Sequence, residues 1–182
     1  KTVQFLAMLL RRLQDVKTPP PSLVVVPRSL MFNWSSECAR FAPTLKVMEY
    51  TGLERANSRA DFSRFHLILT TYGTLRSDAL QFKDQRFDYC ILDEAQAIKN
   101  PGAKQTRAVK LLKSDARIAM TGTPVENSLG DLWSLFDFIN PGLLGTAKEF
   151  TTFTRRLADF GQQAESAPHA AKSDFGPLRS LV

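Results

Sequence analysis

The chain has 182 residues, 43% of them hydrophobic, and a formal net charge of +6. That content excludes a disordered chain and supplies one real core, and the length suits one domain better than two. No apolar run approaches the roughly 20 residues that cross a bilayer, and the run at 3–10 is cut off by Arg11 and Arg12, unlike a signal peptide. No membrane partner is therefore expected. The basic balance hints at an acidic partner, of which nucleic acid is the commonest. Cys38 and Cys90 have no CxxC neighbour and no paired histidines. They read as reduced core thiols, which suits an intracellular protein. The chain opens on Lys1, without Met, in what reads as a helix, and is expected to be a piece of something larger.

Leu6, Leu9, Leu10 and Leu13 predict an amphipathic helix that Thr18 and three prolines end. Residues 23–26 form a short β-branched run, a buried strand stopped by Pro27. Ser29 can cap the next helix, with Leu30, Trp34, Cys38 and Phe41 on its apolar face. Residues 45–50 read as a weaker strand and 65–71 as a better one, followed by a short helix near 74–80. Residues 87–92 are a strand. Residues 103–112 are a helix with Ala108, Leu111 and Leu112 inward. A short strand at 118–120 precedes a strong helix at 128–139, with Leu129, Leu132, Trp133, Phe136 and Ile139 on one face and Asp131 in a capping arrangement with Ser128. Beyond Phe150 the periodicity decays, and 161–172 is expected to be an exposed loop. The alternation predicts an α/β fold: a parallel β-sheet sandwiched by helices, in three layers, α/β/α.

Ligands of such sheets bind beyond the carboxyl ends of the strands. Four strand ends here are followed by polar groups: Pro27-Arg28-Ser29, Thr70-Thr71-Tyr72, Asp93-Glu94-Ala95-Gln96 and Thr121-Gly122-Thr123-Pro124. The third is sharpest, because two adjacent carboxylates leave a buried strand, and burying them without compensation is costly. A magnesium ion with a triphosphate makes the pair reasonable. Asp93 would hold the metal, Glu94 would orient and deprotonate water, and Gln96 could sense the γ-phosphate. The pair alone reads equally well as an acidic loop. Thr121 and Thr123 hydroxyls can reach Asp93 and Glu94 if their strands are neighbours, and Gly122 permits a tight turn. Trp34 and Trp133 read as core, and His66 and His169 have no metal partner in sight. Lys104, Arg107, Lys110 and Lys113 read as a solvated helix face.

The runs LVVVPRSLMFNW, ILTTYGTL, DYCILDEAQAIKNPGAKQTRAVKLL and RIAMTGTPVENSLGDLWSLFDFINPGLLG, in this order and spacing, resemble the SWI/SNF family of superfamily-two, helicase-like ATPases that translocate on double-stranded DNA. The glutamine of DEAQ is closer to bacterial members. The resemblance spans residues 1 to about 145. It implies a RecA-like first lobe there, entered within its phosphate-binding loop, and a helical or irregular extension over 146–182. Lys1 and Thr2 match the end of the family's Gly-Lys-Thr loop, which implies that Lys1 contacts phosphates and Thr2 contacts Mg²⁺ brought with ATP.

The family match also implies DNA-backbone contacts from Arg28, Ser29, Thr70, Thr71 and Tyr72, with Lys99, Asn100 and Asn127 as further ones. For Arg28 and Lys99 a plain solvated charge is the competing reading. Implied partners are double-stranded DNA, a second RecA-like lobe of the same polypeptide and DNA-bound proteins that a motor of this kind remodels. The setting would be the bacterial cytoplasm at the nucleoid, or the nucleus in a eukaryote. Two other functions stay in view: an RNA helicase lobe, and a catalytically inactive scaffold for DNA or protein. A GTPase is disfavoured, because no Asn-Lys-x-Asp signature occurs. The family's second lobe supplies arginine fingers, and no segment here matches it. Residues 1–182 alone are therefore expected to be nearly inactive.

Overall fold

Leu6 and Leu9 fall one turn apart and face inward with Phe5, which sets the buried side of helix α1 (Thr2–Asp15). The computed structural model describes residues 1–52, 55, 61–122 and 129–165. After the prolines, β1 (Ser22–Val26) is buried along its whole length. It leads through a 3₁₀ turn at Arg28–Leu30 into α2 (Met31–Phe41). Then come β2 (Val47–Tyr50), β3 (Leu67–Thr71), α3 (Tyr72–Ser77), α4 (Ala79–Phe82) and β4 (Arg86–Leu92). The remaining elements are α5 (Lys104–Lys110), β5 (Lys113–Ala119), α6 (Leu129–Ile139) and α7 (Ala147–Glu165).

The five strands are parallel and ordered β2-β3-β1-β4-β5. Successive residues of each central strand feed opposite faces, as the pleat requires. Leu23, Val25, Ile68, Cys90 and Leu92 pack with α3, α5 and α6 residues such as Leu75, Val109 and Phe138. Val24, Val26, Leu67, Leu69 and Ile91 pack with α1 and α2 through Phe5, Leu6, Trp34 and Cys38. The three-layer α/β/α expectation therefore holds. From β1 the chain runs outward to β2, and from β4 it runs the other way to β5. The crevice between the carboxyl ends of β1 and β4 is thus the topological switch point, where such sheets bind ligands.

Several local expectations need correction. Ser29 lies inside the 3₁₀ turn, and α2 has no side-chain cap from its preceding residue. Phe41 and Leu111 are exposed, and Val109 takes the buried place in α5. In α6 the inward face is Trp133, Leu135 and Phe138, while Phe136 points out. The apolar residues surround that helix, so periodicity alone did not single out the packed stripe. Strand β5 starts at Lys113, five residues before the apolar stretch that marked it. Its ladder with β4 pairs Arg86 with Lys113 and Phe87 with Ser114, so backbone bonds define it where composition does not. Helix α7 continues through Glu165, so 161–165 is helical; residues 166–172 and the proposed Ser128 cap lie outside the described residues.

By compactness the chain divides into Lys1–Gly145 and Thr146–Val182. In the second unit, Thr146 and Glu149 cap α7 reciprocally: Glu149 N–H donates to Thr146 Oγ1 (3.2 Å) and Thr146 N–H to Glu149 Oε2 (2.7 Å). Those bonds hold the Glu149 carboxyl below its ordinary value. Among the described residues no helix is long and apolar enough to cross a membrane.

Candidate functional site

The end of β4 is fixed from both sides before the chemistry begins. Val25 and Ala119 flank Leu92 across the sheet. Asp93 N–H then donates to Val25 O (2.9 Å) and Ala95 N–H to Met120 O (2.9 Å). The acidic turn is therefore strapped to β1 on one side and to the residue after β5 on the other. Between those straps Glu94 adopts φ 48°, ψ 54°. It is the single non-glycine residue with positive φ among the described residues. Such a conformation costs a side-chain-bearing residue free energy and persists where surroundings impose it.

The two carboxylates belong to different networks. Asp93 is 9% exposed. Its Oδ1 accepts from Glu94 N–H (3.0 Å) and its Oδ2 from the Trp34 indole N–H (2.8 Å). The Tyr72 hydroxyl, expected among the phosphate-backbone contacts, is instead spent on the Asp93 carbonyl (2.8 Å). Burial and the nearby carboxylates push the Tyr72 phenol far above its ordinary value, so it stays a donor. Glu94 instead accepts from the Gln96 side-chain amide (2.6 Å), whose oxygen accepts from Thr121 Oγ1 (2.9 Å). Lys1 Nζ donates to the Thr121 carbonyl (2.8 Å). Lys1, Thr121, Gln96 and Glu94 thus form one chain across 121 residues of sequence. β4 and β5 are neighbours, the condition set for Thr121 to reach the Asp93 and Glu94 carboxylates, and its hydroxyl reaches Glu94 through the Gln96 amide.

Gly122 sits at a bend just beyond β5. It is not in the left-handed region, and a Cβ there would meet Glu94 Oε2 at an ordinary 3.8 Å. Thr2 is half-buried at the start of α1, next to Lys1. Thr123 and Asn127 lie outside the described residues. Among the described residues no three His, Cys, Asp or Glu side chains gather as a metal cage. Each Asp93 oxygen accepts one hydrogen bond and retains lone-pair capacity for a cation.

Behind the acidic turn the 3₁₀ segment Ala95–Ile98 is pinned by side chains from two helices. Ser134 Oγ of α6 donates to Ile98 O (2.6 Å), and Thr106 Oγ1 of α5 to Asn100 O (2.7 Å). Asn100 is exposed but its Oδ1 already accepts from Gly102 N–H (2.9 Å), turning the chain into α5; Lys99 is exposed beside it.

On the other side of β1 lies a groove of about 1130 Å³ between α2 and α3. Arg28, Phe32, Ser35, Thr71, Tyr72 and Arg76 are among its lining residues. Arg28 and Ser29 are exposed at its rim side of the sheet, as a phosphate contact requires. Thr71 lines the groove but also caps α3, accepting from Thr74 N–H (3.1 Å). Thr70 is not available: it is fully buried and donates to Tyr50 O (2.8 Å). Alternation along β3 sends its side chain into the sheet's packing, opposite to Thr71. Sequence reasoning missed Trp34 as a site residue, because its helical spacing suits core. A buried indole N–H needs a partner, and that was the available signal. Arg12 and Asp88 were missed too: a bidentate pair (3.1 and 3.0 Å) ties α1 to β4, with the carboxylate buried.

Comparison with known proteins agrees with this arrangement. The family model described as the SNF2-related domain matches residues 1–172. The chain is 41% identical over 152 residues to the uncharacterized ATP-dependent helicase MG018 of Mycoplasma genitalium, covering 83% of this chain and 15% of that protein. It is 43% identical over 141 residues to the TATA-binding protein-associated factor mot1 of Schizosaccharomyces pombe, covering 76% of this chain and 7% of the relative. The Sulfolobus solfataricus SWI2/SNF2 ATPase core, solved in complex with dsDNA, superposes with a TM-score of 0.76 at 42% identity, over 84% of this chain and 31% of that one. The chain therefore spans a small part of the curated relatives it matches. Its sheet is the RecA-like fold of that core, and the chain belongs to the SNF2-related domain family.

Proposed function

We propose that this chain is the ATP-binding first lobe of a SWI/SNF-type ATPase that moves along double-stranded DNA and remodels protein–DNA complexes. The observation that carries the reading is the convergence, at the switch point of the sheet, of the buried Asp93 with the Lys1–Thr121–Gln96–Glu94 chain. Lys1 would bind the phosphates, Asp93 and Thr2 would hold Mg²⁺, and Glu94 orients the attacking water and takes its proton. Magnesium held there would neutralise the charge that develops on the transferred phosphoryl group. The Gln96 amide holds the Glu94 carboxylate at one oxygen, leaving the other for water. Thr121 links that carboxylate, through Gln96, to the end of β5. Gly122 and Thr123, next in the chain, are assigned to the same link.

Duplex DNA is read through its backbone by Arg28, Ser29, Thr71, Lys99, Asn100 and Asn127. Such contacts suit a motor that steps regardless of sequence. A second RecA-like lobe of the same polypeptide completes the site, and the setting is the nucleoid or the nucleus, where duplex DNA lies. The similarity to an ATPase core solved in complex with dsDNA favours DNA over RNA. In the complete polypeptide Glu94→Gln lowers kcat by at least about 100-fold and leaves Mg·ATP binding within about twofold. Steady-state hydrolysis with calorimetry checks this. Near-normal turnover of the variant removes Glu94 from its role.

A further inference from the structure

Two residues on opposite sides of the groove end on the same amino acid. Helix α2 presents Phe32, Ser35 and Ser36 to the groove. From its buried face it sends the Trp34 indole N–H to Asp93 Oδ2 (2.8 Å). Helix α3 presents Thr74 and Arg76 to the groove. From its first residue the Tyr72 hydroxyl reaches the Asp93 carbonyl (2.8 Å). Trp34 is 1% exposed and Tyr72 5%. Both bonds are buried, and low local dielectric strengthens them. Trp34 also packs on Phe5 of α1, ring centroids 6.1 Å apart, one turn after Lys1 and Thr2. Glu94 hangs on the separate chain through Gln96 and Thr121.

We propose that Trp34 and Tyr72 are positioning residues that couple occupation of the groove by a polyanionic backbone to the placement of Asp93, and not of Glu94. A phosphate backbone seated against α2 and α3 fixes those helices relative to the sheet. Because each helix carries one hydrogen-bond donor to Asp93, fixing them fixes the carboxylate and the main chain that bears it. The coupling is reciprocal, so nucleotide and duplex each raise the affinity for the other.

The inference rests on the nucleotide and DNA reading above, and the test separates the two. In the complete polypeptide, the Kd of a non-hydrolysable ATP analogue with Mg²⁺ is measured with and without a short DNA duplex; their ratio is the coupling factor. The Kd for the duplex alone is measured too. Wild type is expected to show coupling of about fivefold or more. Tyr72→Phe keeps the ring in the groove and removes only the hydroxyl; Trp34→Phe removes only the indole donor and some area. Each is expected to cut the coupling factor severalfold, with duplex affinity alone within about twofold. The double variant should lose little more than the stronger single one, since both act on one residue.

Leu9→Ala, in the same core face, is the control for plain destabilisation and should keep the coupling. Unchanged coupling in Tyr72→Phe overturns the proposal, even if Trp34→Phe fails to fold. So does equal loss in Leu9→Ala, or a wild type that binds both ligands independently. A wild type that binds neither ligand overturns the functional reading itself, and with it this one.

Discussion

Single residues decide how the strand ends are presented. His66 illustrates this away from the candidate site: its Nδ1 accepts the Lys46 backbone N–H (3.0 Å) where the chain enters β3. Burial, and secondarily the charge of Lys46, lowers its pKa from the ordinary 6.5. Protonation would cost that acceptor. The unfolded chain therefore binds the proton more readily than the native one, so stability rises with pH in this range. The contribution is fully present above about 6.5 and is lost as pH falls from there through the lowered native pKa. Unfolding midpoints in urea between pH 7.5 and 5 should show this decline, and His66→Gln should flatten part of it. An equal decline in the variant would place the effect elsewhere. The thiols behave in the opposite sense: burial pushes Cys38 up to about 11 and Cys90 up to about 12, which keeps them unreactive core groups.

Elements are held to one another by a few polar pins as well as by packing, and these were the least legible part of the chain. The parallel strands could be read directly, because a strand buried on both faces is a continuous apolar run, as in Leu23 to Val26. Helix facing could not. In α6 the sequence offers Phe136 and Phe138 with equal right to the core. The structure buries Phe138 completely and leaves Phe136 at 38% exposure. What selects the face is polar: Ser134 must reach Ile98 O, and Asp137 must meet Lys110 (2.5 Å), whose ammonium also sits over the Trp133 ring. Arg117 of β5 adds bonds to Phe138 O (3.0 Å) and Leu112 O (2.8 Å), closing the carboxyl ends of α6 and α5. Phe138→Ala should therefore cost about 3–5 kcal/mol, while Phe136→Ala stays below about 1 kcal/mol. Denaturant titration of both variants checks the assignment, and reversed magnitudes would contradict it.

At the scale of the molecule, one edge of one sheet carries the four strand ends the sequence marked, among the described residues. Four loaded strand ends were legible because chemistry sits beyond strands, and strand ends are visible as the limit of an apolar run. Their division into two networks was not legible. Whether Tyr72 faces the groove or the acidic turn depends on the register of β3 against β1 and on the length of a phenol, neither of which periodicity reports. Tyr72 does both: its ring lines the groove and its hydroxyl meets Asp93. This chain also matches only 7–15% of the curated relatives' lengths quoted above. Residues 1–182 on their own should hydrolyse ATP at least about 1,000-fold more slowly than the complete polypeptide with duplex DNA, the scale on which an arginine finger acts in phosphoryl transfer. Parallel turnover measurements decide this; comparable rates would mean the lobe needs no partner.

The left-handed turn at Glu94 has an evolutionary side. At such a backbone angle glycine is the residue free of strain, so the shortest path to a more stable chain at this position removes the carboxylate to which we assign the activation of water. Selection for stability and selection for turnover pull in opposite directions at one codon. A lineage that ceased to need hydrolysis would be expected to drift there first, keeping the fold and the groove while the motor fell silent.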